Sequence, residues 1–570
     1  MLGFEKNDIR VETDVLIIGG GSAGMWAAKV IKERLPDSQV LIVDKGPEKW
    51  GGQMSLCGGG IDIMMPEESV DDWVKDLVYY YDGLCEQDAL EKLISVTYDR
   101  MKDYEEMGCE FLKRPDGSLK AVPQRGLPNF KMYSPKRSGQ GGEDMVNGLS
   151  GAIEKLGVKR MNRLMITKLL KHEDRVCGAA GFNIITGEFY VFQAKVVLMA
   201  CGNCSWKPSY GKNGASGDGL QVAYEAGAEL RNFEFAKVWN VPRLFSWEGQ
   251  TLLIPLGARF VNRLGETFME KYSPVLGSNT DPHYITMAMA KEVEAGRGPI
   301  YFDVSRIPEG NADLTHPKAG WMLLNYQKLL DMGIDFFHQN TEWTAQLQDT
   351  MGGVITDIDG RTSVPGLFAA GRTRSIDPGV YIGGFSMAST AATGYLAGHA
   401  MADELADAAV APIDRAEVEA HKQALYQPVS DSGLKPSAVM RQIQELVFPY
   451  DVSILKTGAG LQKALDQLEW VKANLLQRMS AADGHYLMKL REVQGTVFIT
   501  ELYLRASLSR EESRAGHYRD DFPALSENGL YWMTYRKGAG GELEARKVPV
   551  PIERYKHPLE KSYYNNFTFA

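Results

Sequence analysis

Apolar and polar positions follow one another along this chain in the way typical of an α/β protein. Short apolar runs that end in polar or glycine-rich turns occur at Asp14–Ile18, Gln39–Val43, Lys195–Gly202 and Val364–Gly371. Unbroken runs of this length are typical of buried strands in a parallel sheet. The segment Met25–Leu35, between the first two runs, has a helical composition. We therefore predict a domain in which strands and helices alternate around a parallel sheet.

Helical periodicity predicts further elements outside this domain. Apolar residues recur at helical spacing over 71–107, where Asp88 and Glu91 match a capping box, and again over Leu461–Leu475. We expect the second segment to belong to a C-terminal helical region. With 570 residues the chain is too long for a single core, so we expect several domains.

The first predicted strand leads into the motif Gly19-x-Gly21-x-x-Gly24, and the second ends at Asp44. Gly19 permits a tight turn, Gly21 lets the backbone approach a pyrophosphate, and Gly24 lets the helix pack close to the strand. The free N–H groups at the start of the helix attract phosphates, and Asp44 is placed to accept hydrogen bonds from a ribose. Strand, glycines, helix and acid in this register predict a dinucleotide site.

The two later apolar runs favour FAD over NAD as the dinucleotide. A chain that leaves the nucleotide fold, builds another domain and then returns is typical of flavoproteins in which the returning segment covers the flavin. The runs Lys195–Gly202 and Val364–Gly371 lie far downstream of the fingerprint, as such a return requires.

Composition and charge exclude several other classes. The formal net charge is -10 and no run of Lys or Arg stands out, which argues against nucleic acid as the main partner. The segment MLGFEKNDIR lacks the apolar core of a signal peptide, and no apolar run is long enough to predict a transmembrane helix. We expect a cytoplasmic protein, with attachment to a membrane possible through partner subunits.

Of the six cysteines, Cys201 and Cys204 alone form a C-x-x-C pair. One pair cannot supply the four thiolates that an iron–sulfur cluster usually needs, so we expect any cluster to lie in another polypeptide. The pair is either a redox dithiol or, as we favour, two structural residues in a glycine-rich turn.

Seven motifs together resemble the flavoprotein subunits of the succinate dehydrogenase/fumarate reductase family, which includes L-aspartate oxidase and the adenylylsulfate reductase alpha subunit. They are IIGGGSAG, GGGID at Gly58–Asp62, SGDGLQVAYEAGAE at Ser216–Glu229, EAGRGPIYFD at Glu294–Asp303, TMGGVITD at Thr350–Asp357, VPGLFAAG, and ESRAGHYRDDFP at Glu512–Pro523. Their order and spacing extend over most of the chain, which makes the set far more specific than any single motif.

The resemblance implies a Rossmann-like FAD-binding domain split by an α+β capping domain and followed by a C-terminal helical domain. We place the FAD-binding parts at 1–232 and 349–405, the cap at 233–348 and the helical domain at 415–570. In the family, a helix that follows paired glycines points at the flavin, and Gly383, Gly384 and an N-cap Ser386 match it. Residues expected to bind FAD are Gly19, Gly21, Ser22, Ala23, Gly24, Asp44, Lys45, Gly51, Gly52, Gln53, Gly59, Gly60, Ala200, Gly202, Asp218, Gly371, Arg372, Gly383, Gly384, Ser386 and Met387.

The chain departs from the family where the substrate is expected. Hand alignment puts Met287 and Tyr381 at the positions of two carboxylate-binding arginines, and Gln348-Asp349 where a histidine is expected. A dianionic substrate would lose both guanidiniums, so we do not expect a typical succinate, fumarate or aspartate site. Gln53 stands where succinate dehydrogenase has the histidine that carries covalent FAD, and we therefore expect non-covalent FAD.

Four residues are candidates for chemistry between cap and flavin. Tyr381 is the first candidate proton donor, because it lies next to the flavin-facing helix. Asp349 and His283 are further candidates for the proton donor. Arg374 or His283 is a candidate for binding a substrate anion. For Tyr381, His283 and Asp349 the alternative is a local role in packing, a turn or a cap.

The leading hypothesis is an FAD-bearing catalytic subunit that moves a hydride or electron pair between flavin and a small substrate. Reduction of an activated C=C bond, or the reverse, is the expected reaction, and the expected electron partner is an iron–sulfur (ferredoxin-like) subunit. Three alternatives stay open: sulfur chemistry resembling adenylylsulfate reductase, a stand-alone oxidase that uses O₂, and a non-catalytic electron-transfer subunit.

Overall fold

The computed structural model describes residues 8–47, 51–136, 141–208, 215–243, 250–307, 323–335, 337–375 and 380–569. At its centre is a five-stranded sheet in which all neighbouring strands are parallel. Its strands lie in the order Leu367–Ala369, Val196–Met199, Val15–Ile18, Val40–Asp44 and Lys159–Asn162. The four apolar runs predicted as buried strands are thus four adjacent strands of one sheet.

Two helices of this domain pack directly against each other: Ser22–Arg34, from the fingerprint, and Phe385–Leu405, from the returning segment. A Cβ atom on Gly394 would lie 2.4 Å from the carbonyl oxygen of Ala23, so only glycine permits this close approach. The two halves of the split domain, far apart in sequence, are therefore joined by a tight helix–helix contact.

Two smaller sheets complete this part of the molecule. One has the order Ile9–Glu12, Phe189–Gln193, Arg175–Asn183, Leu164–His172, and the other the order Ile61–Asp62, Leu127–Tyr133, Ala121–Gln124. The remaining helices up to the cap are Val70–Tyr80, Gln87–Ser95, Thr97–Glu106, Gly141–Lys155 and Asp218–Glu225.

The predicted helical stretch 71–107 is three helices rather than one. Asp82 (φ 49°) and Gly83 (φ 83°) adopt left-handed backbone after the first helix and end it. The second helix begins at Gln87 with Glu86 as its N-cap residue, so Asp88 lies in the first turn and the predicted capping box is wrong.

The cap is built on an antiparallel sheet with the strand order Ala236–Pro242, Thr341–Thr350, Ile300–Asp303, Arg259–Val261. Helix Pro282–Glu292 packs on its first two strands, and the shorter helices Met269–Tyr272 and Leu323–Asp331 accompany it. The strand Thr341–Thr350 runs past residue 348, where we placed the end of the cap.

The C-terminal part is helical as far as Ser509. Its helices are Arg415–Tyr426, Pro436–Val447, Tyr450–Ser453, Gly458–Asn474 and Gly484–Ser509. Helix Gly458–Asn474 contains the predicted periodic segment and begins after Thr457, whose side chain accepts a hydrogen bond from Gly460 N. Beyond it, the hairpin Tyr531–Lys537/Leu543–Pro549 joins Leu230–Arg231 and Gly353–Val354 in one sheet, which ties the C-terminus to both cap junctions.

Candidate functional site

The fingerprint glycines are required by close backbone contacts. Gly19 has φ +113°, and a Cβ atom on it would lie 2.2 Å from the carbonyl oxygen of Ala200. A Cβ atom on Gly24 would lie 2.1 Å from the carbonyl oxygen of Gly19. The turn between the first strand and its helix is therefore as tight as the motif predicts.

Helix Ser22–Arg34 begins without any group that would compete with an anion. Its N-cap residue, Gly21, makes no side-chain capping bond, and no acidic residue occurs in the first turn. The loop at Gly51 and Gly52 lies over this helix start: a Cβ atom on Gly52 would be 3.5 Å from Gly21 Cα. Ser22 Oγ is buried and has no hydrogen-bond partner among the described residues. A helix N-terminus of this kind fits a pyrophosphate.

Asp44 lies at the end of its strand, where the ribose is expected. Its Oδ2 accepts a hydrogen bond from Gly20 N and its Oδ1 one from Gly46 N, each at 2.5 Å. Ile42 and Val146 line the cleft beside it, together with the polar residue Arg160. The carboxylate thus orders the turns that border a cleft with both apolar and polar walls, as a nucleoside site requires.

Lys45 and Asp218, both predicted to bind FAD, pair with each other. Lys45 Nζ lies 2.8 Å from Asp218 Oδ1 and 3.1 Å from Glu492 Oε1, and it donates to Ser216 Oγ at 3.1 Å. Because Glu492 belongs to the long C-terminal helix, this cluster joins the nucleotide fold to the helical domain. These contacts give both side chains partners within the protein, and their contact with FAD stays a prediction.

The returning segment brings a second open helix start close to the first. The groove between the starts of helices Ser22–Arg34 and Phe385–Leu405, bordered by the loops at Gly52 and Gly371, is called the trough below. Helix Phe385–Leu405 begins after Gly384 (φ +94°), with no side-chain cap and no acidic residue in its first turn. Ser386, predicted as its N-cap, lies inside the first turn instead, because the two glycines end one residue earlier. A Cβ atom on Gly371 would lie 2.8 Å from Ala23 Cβ, so the loop after Ala370 reaches the first helix.

Other predicted FAD contacts lie around this trough. Gly202 N donates a hydrogen bond to Thr373 Oγ1 at 2.9 Å, and Cys57 Sγ lies 3.7 Å from Met387 Sδ. A Cβ atom on Gly59 (φ +79°) would lie 2.4 Å from the backbone of Gly141, and one on Gly60 would lie 2.5 Å from Met132 Sδ. The glycines let these segments approach one another closely.

The trough fits FAD. Two uncapped helix starts face it, and Gln53 Nε2, like Ser22 Oγ, is buried without a hydrogen-bond partner in the described part of the chain. Buried polar atoms are rarely left unpaired unless a ligand or water completes them. Gln53 has no nucleophilic atom for a flavin bond, which agrees with the expectation of non-covalent FAD.

Asp62, the last residue of the motif GGGID, lies against Gly384 at the start of the second helix. Its side chain is fully buried, Oδ1 accepts a hydrogen bond from Gln124 Nε2 at 2.8 Å, and Oδ2 has no partner among the described residues. A Cβ atom on Gly384 would lie 2.7 Å from Oδ1, so the carboxyl group sits directly behind the start of the second helix. Burial raises the pKa of Asp62 to about 8.

Tyr381 lies in an aromatic cluster with a lysine at the border of the cap. Its ring and that of Trp239 pack edge-to-face with centroids 5.4 Å apart, and Lys237 Nζ lies 3.7 Å from the centroid of Tyr381. Lys237 and Trp239 come from the first cap strand and are buried. A cation over an aromatic face is favourable, and more so when it is removed from water. Lys237 is the single lysine of the mostly apolar segment FEFAKVWNVP, and this is the sequence signal that could have indicated the cluster.

Asp349 is buried at the same border. Its Oδ1 accepts hydrogen bonds from Arg372 Nη2 at 3.2 Å and from Asn203 Nδ2 at 3.3 Å. Lys237 is its cross-strand neighbour in the cap sheet. The predicted residues Asp349 and Arg372 are thus brought together, with Tyr381 on the other side of Lys237.

His283 and Arg374 lie in different surroundings from that cluster. His283 is at the start of helix Pro282–Glu292; it is buried, neither ring nitrogen has a hydrogen-bond partner among the described residues, and burial lowers its pKa to about 3. Arg374 donates to the carbonyl of Ile358 at 3.2 Å and is near the charges of Glu86 and Arg231. Burial lowers the pKa of Arg374 to about 10.

The cysteine pair has no property of a reactive dithiol. Cys201 and Cys204 are both free, and burial raises the pKa of the Cys201 thiol to about 12 and that of Cys204 further. Thiols that are protonated at neutral pH are poor nucleophiles. The geometry favours the structural interpretation of the pair.

The described residues contain neither a metal-ligand cluster nor a membrane-spanning helix. No cluster of three or more His, Cys, Asp or Glu side chains there has the arrangement of a metal site. None of the helices in the described ranges combines the length and apolar character needed to cross a bilayer.

Comparison with known proteins identifies two family regions. Residues 14–386 match the FAD binding domain family, and residues 441–564 match the family described as fumarate reductase flavoprotein C-term. The CoM/CoB fumarate reductase of Methanothermobacter marburgensis has a subunit that is 28% identical over 535 residues, with 90% of this chain and 95% of that protein covered.

Solved structures show the same fold over nearly the whole chain. FrdA of E. coli quinol fumarate reductase superposes with a TM-score of 0.87 at 21% identity, covering 97% of this chain and 98% of that one. Adenylylsulfate reductase of Archaeoglobus fulgidus superposes with a TM-score of 0.80 at 22% identity, covering 99% of each chain. The predicted fold class and the family resemblance are confirmed, and the predicted cofactor, FAD, is confirmed with them.

Proposed function

Because this chain belongs to the FAD-binding flavoprotein family and is an FAD-dependent oxidoreductase of the fumarate reductase type, we propose that it reduces, or in reverse forms, an activated C=C bond. In this proposal it is the catalytic subunit of a complex, and an iron–sulfur protein exchanges electrons with it. FAD, when bound, holds two electrons and exchanges them with a substrate carbon as a hydride. The overall reduction consumes two electrons from the partner and two protons.

The observation that carries the proposal is the cluster of Tyr381, Lys237 and Trp239 beside the second open helix start. Tyr381 is two residues before Gly383, in the short segment that leads into helix Phe385–Leu405. Its side chain therefore belongs to the loop beside the trough. The Lys237 cation against its ring stabilises the phenolate that remains after proton transfer. We assign Tyr381 the proton that the second carbon of the double bond receives.

The other residues of this border orient the cluster. The Asp349–Arg372 pair lies at the end of the cap strand and joins it to the loop that follows the returning strand. This pair links the cap to the FAD-binding domain next to Tyr381, and we infer that it holds the two parts in register when the substrate is bound.

Support for an electron partner comes from the relatives and from the chain itself. The Methanothermobacter protein is described as one subunit of its enzyme, and the E. coli structure as part of a quinol fumarate reductase. The single C-x-x-C pair of this chain consists of buried thiols with raised pKa values, which are poorly suited to serve as its own electron relay. We therefore assign the electron supply to a separate iron–sulfur polypeptide.

The first test is the purified protein with any co-purified partner, reduced and offered a panel of unsaturated acids, ketones and fumarate. Tyr381→Phe is expected to lower kcat by about 10²- to 10⁴-fold, the usual contribution of a general acid, while the flavin absorbance stays unchanged. Tyr486→Phe, at an exposed tyrosine of the C-terminal helix, is the matched control and should have no effect.

Two results would reject the proposal. Reoxidation of the reduced flavin by O₂ alone, with no response to any unsaturated compound, would favour a stand-alone oxidase. Bleaching of the oxidised flavin by sulfite, together with turnover of a sulfur substrate, would favour chemistry like that named for the Archaeoglobus structure.

A further inference from the structure

The turn Gln124–Gly126 connects two parts of the site that are far apart in sequence. Gln124 Nε2 donates hydrogen bonds to Asp62 Oδ1 and to the carbonyl oxygen of Gly383. One end of the turn is therefore fixed to the start of the helix that faces the flavin trough.

The other end of the turn meets the cap. A Cβ atom on Gly126 would lie 2.3 Å from the hydroxyl oxygen of Tyr563, and that hydroxyl donates to Asp281 Oδ2 at 3.0 Å. Asp281 caps helix Pro282–Glu292, since its Oδ1 accepts hydrogen bonds from His283 N and Tyr284 N. The turn thus lies between the flavin-facing helix and the cap helix, with Arg125 at its middle.

The guanidinium of Arg125 has no hydrogen-bond or ion-pair partner among the described residues, and its Nη1 nitrogen is buried. Asp281 attracts it, but both oxygens of that carboxylate already accept hydrogen bonds from other groups. Burial lowers the pKa of Arg125 to about 10, so the group is still charged at neutral pH. Arg125 as a whole is only partly buried, and a charge whose buried nitrogen has no acceptor is costly unless a ligand or water supplies one.

A second unpaired group lies beyond Asp281. His283 is 2% exposed, and both of its ring nitrogens are buried without a partner among the described residues. Its lowered pKa makes it a neutral imidazole, with one N–H donor and one acceptor. Neutral His283 is therefore a second hydrogen-bonding group on the helix that Asp281 caps, and it adds no charge there.

We propose that Arg125 binds the carboxylate of a small α,β-unsaturated monocarboxylic acid, and that this acid is the substrate class of the site. The inference rests on the proposed function. A guanidinium matches the planar carboxylate with two parallel N–H donors. Tyr381 and Met287, at the positions where two arginines are expected, offer no guanidinium for a second carboxylate.

The chemistry of the reduction agrees with this placement. Hydride transfer to the β-carbon breaks the C=C π bond, and the electron pair moves to the α-carbon and onto the carboxylate oxygens. In this proposal the Arg125 guanidinium stabilises the growing negative charge on the carboxylate, and a proton from Tyr381 completes the α-carbon. Preorganised donors at such a position stabilise the transition state.

The test uses the FAD-loaded protein with any co-purified partner and trans-crotonate, the monocarboxylic probe. Calorimetry measures its Kd in the oxidised protein, independently of turnover. Arg125→Gln is expected to raise Kd by about 10- to 100-fold, as for the loss of a charge-assisted hydrogen bond, and Arg125→Lys to raise it less. Arg114→Gln removes the same charge from an exposed hairpin and should leave Kd unchanged.

Further outcomes separate this inference from the proposed function. FAD content and Tm of each variant show that the fold is retained, and guanidinium added to Arg125→Ala should restore crotonate binding. If crotonate binds in an Arg125-dependent way but is never reduced, the reaction is wrong and the anion site stands. An unchanged Kd in Arg125→Gln, or fumarate binding more tightly than crotonate, would overturn the assignment.

Discussion

Three buried arginines of the C-terminal part and the partly buried Arg125 differ in the acceptors that their guanidinium groups find. In the C-terminal part, Arg510, Arg514 and Arg519 each donate hydrogen bonds from all three guanidinium nitrogens. Their acceptors are carboxylates and backbone carbonyls of the surrounding loops. At the junction of cap and FAD-binding domain, Arg125 makes no such bond among the described residues.

Arginines with acceptors inside the protein stabilise the fold, whereas a guanidinium without one has donors left for a ligand. The C-terminal arginines connect Glu234, in the segment that leads into the cap, with Glu512 and the hairpin strand at Tyr531. A guanidinium whose three nitrogens all donate to acceptors within the protein is held in place by the fold itself. Motif ESRAGHYRDDFP, which contains two of these arginines, therefore joins parts of the chain that are far apart in sequence.

The largest expected effect concerns the paired set. Arg510→Met should lower the free energy of unfolding by about 3–5 kcal/mol, because it leaves Glu234 and Glu512 as buried charges without their main partner. The measurement is chemical denaturation followed by far-UV circular dichroism, at fixed FAD concentration.

The matched control is Arg505→Met, in the last turns of helix Gly484–Ser509, which ends just before Arg510. Arg505 is partly exposed and pairs with Glu469 and Glu501 at the surface, so its loss should cost at most about 1 kcal/mol. If both substitutions lower the free energy of unfolding equally, the buried network stabilises the protein no more than a surface ion pair does.

Local features of the fold could be predicted from the sequence because they depend on neighbours along the chain. The fingerprint turn at Gly19, the strands on each side of it and the helix after Thr457 all follow from short-range steric and capping rules. The split of the helical stretch at Asp82 and Gly83 was missed, because a left-handed turn there is decided by packing rather than by periodicity.

The site residues from unrelated segments could not be predicted in the same way. Asp62 was visible as an acid in an apolar run, but its position behind Gly384 depends on two segments more than three hundred residues apart. Arg125 stands in an unremarkable hairpin, and only the folded chain shows that its acceptors are missing. Lys45 and Asp218 matched the family pattern, yet a helix from the C-terminal part engages Lys45.

A smaller effect tests the unpaired carboxyl group at the trough. The pKa of Asp62 is raised from 3.8 to about 8 in the folded protein, so between these values the native state holds a proton that the unfolded chain has lost. Stability from this group is complete below its unfolded pKa and is lost as pH rises through about 8. The Tm of FAD-free Asp62→Asn, measured relative to that of the native FAD-free protein, should therefore rise as pH increases.

The measurement is thermal unfolding of both proteins in a series of buffers from acid to mildly alkaline pH. Asp37→Asn, at an exposed position, should shift the curve equally at every pH in this series. A constant difference between Asp62→Asn and the native protein would mean that the carboxyl group is ionised in the fold and is satisfied by a partner.

The smallest expected effect has the opposite sign to the first. Arg125→Met should raise the stability of the FAD-free protein by about 1 kcal/mol, because it removes a partly buried charge that has no acceptor among the described residues and keeps a side chain of similar length. Arg114→Met, at the exposed hairpin, should leave stability unchanged. The gain should come with loss of carboxylate binding, as expected where a site is maintained at the expense of stability. If Arg125→Met instead destabilises the protein as strongly as Arg510→Met, Arg125 belongs with the paired arginines, and the contrast between the two regions fails.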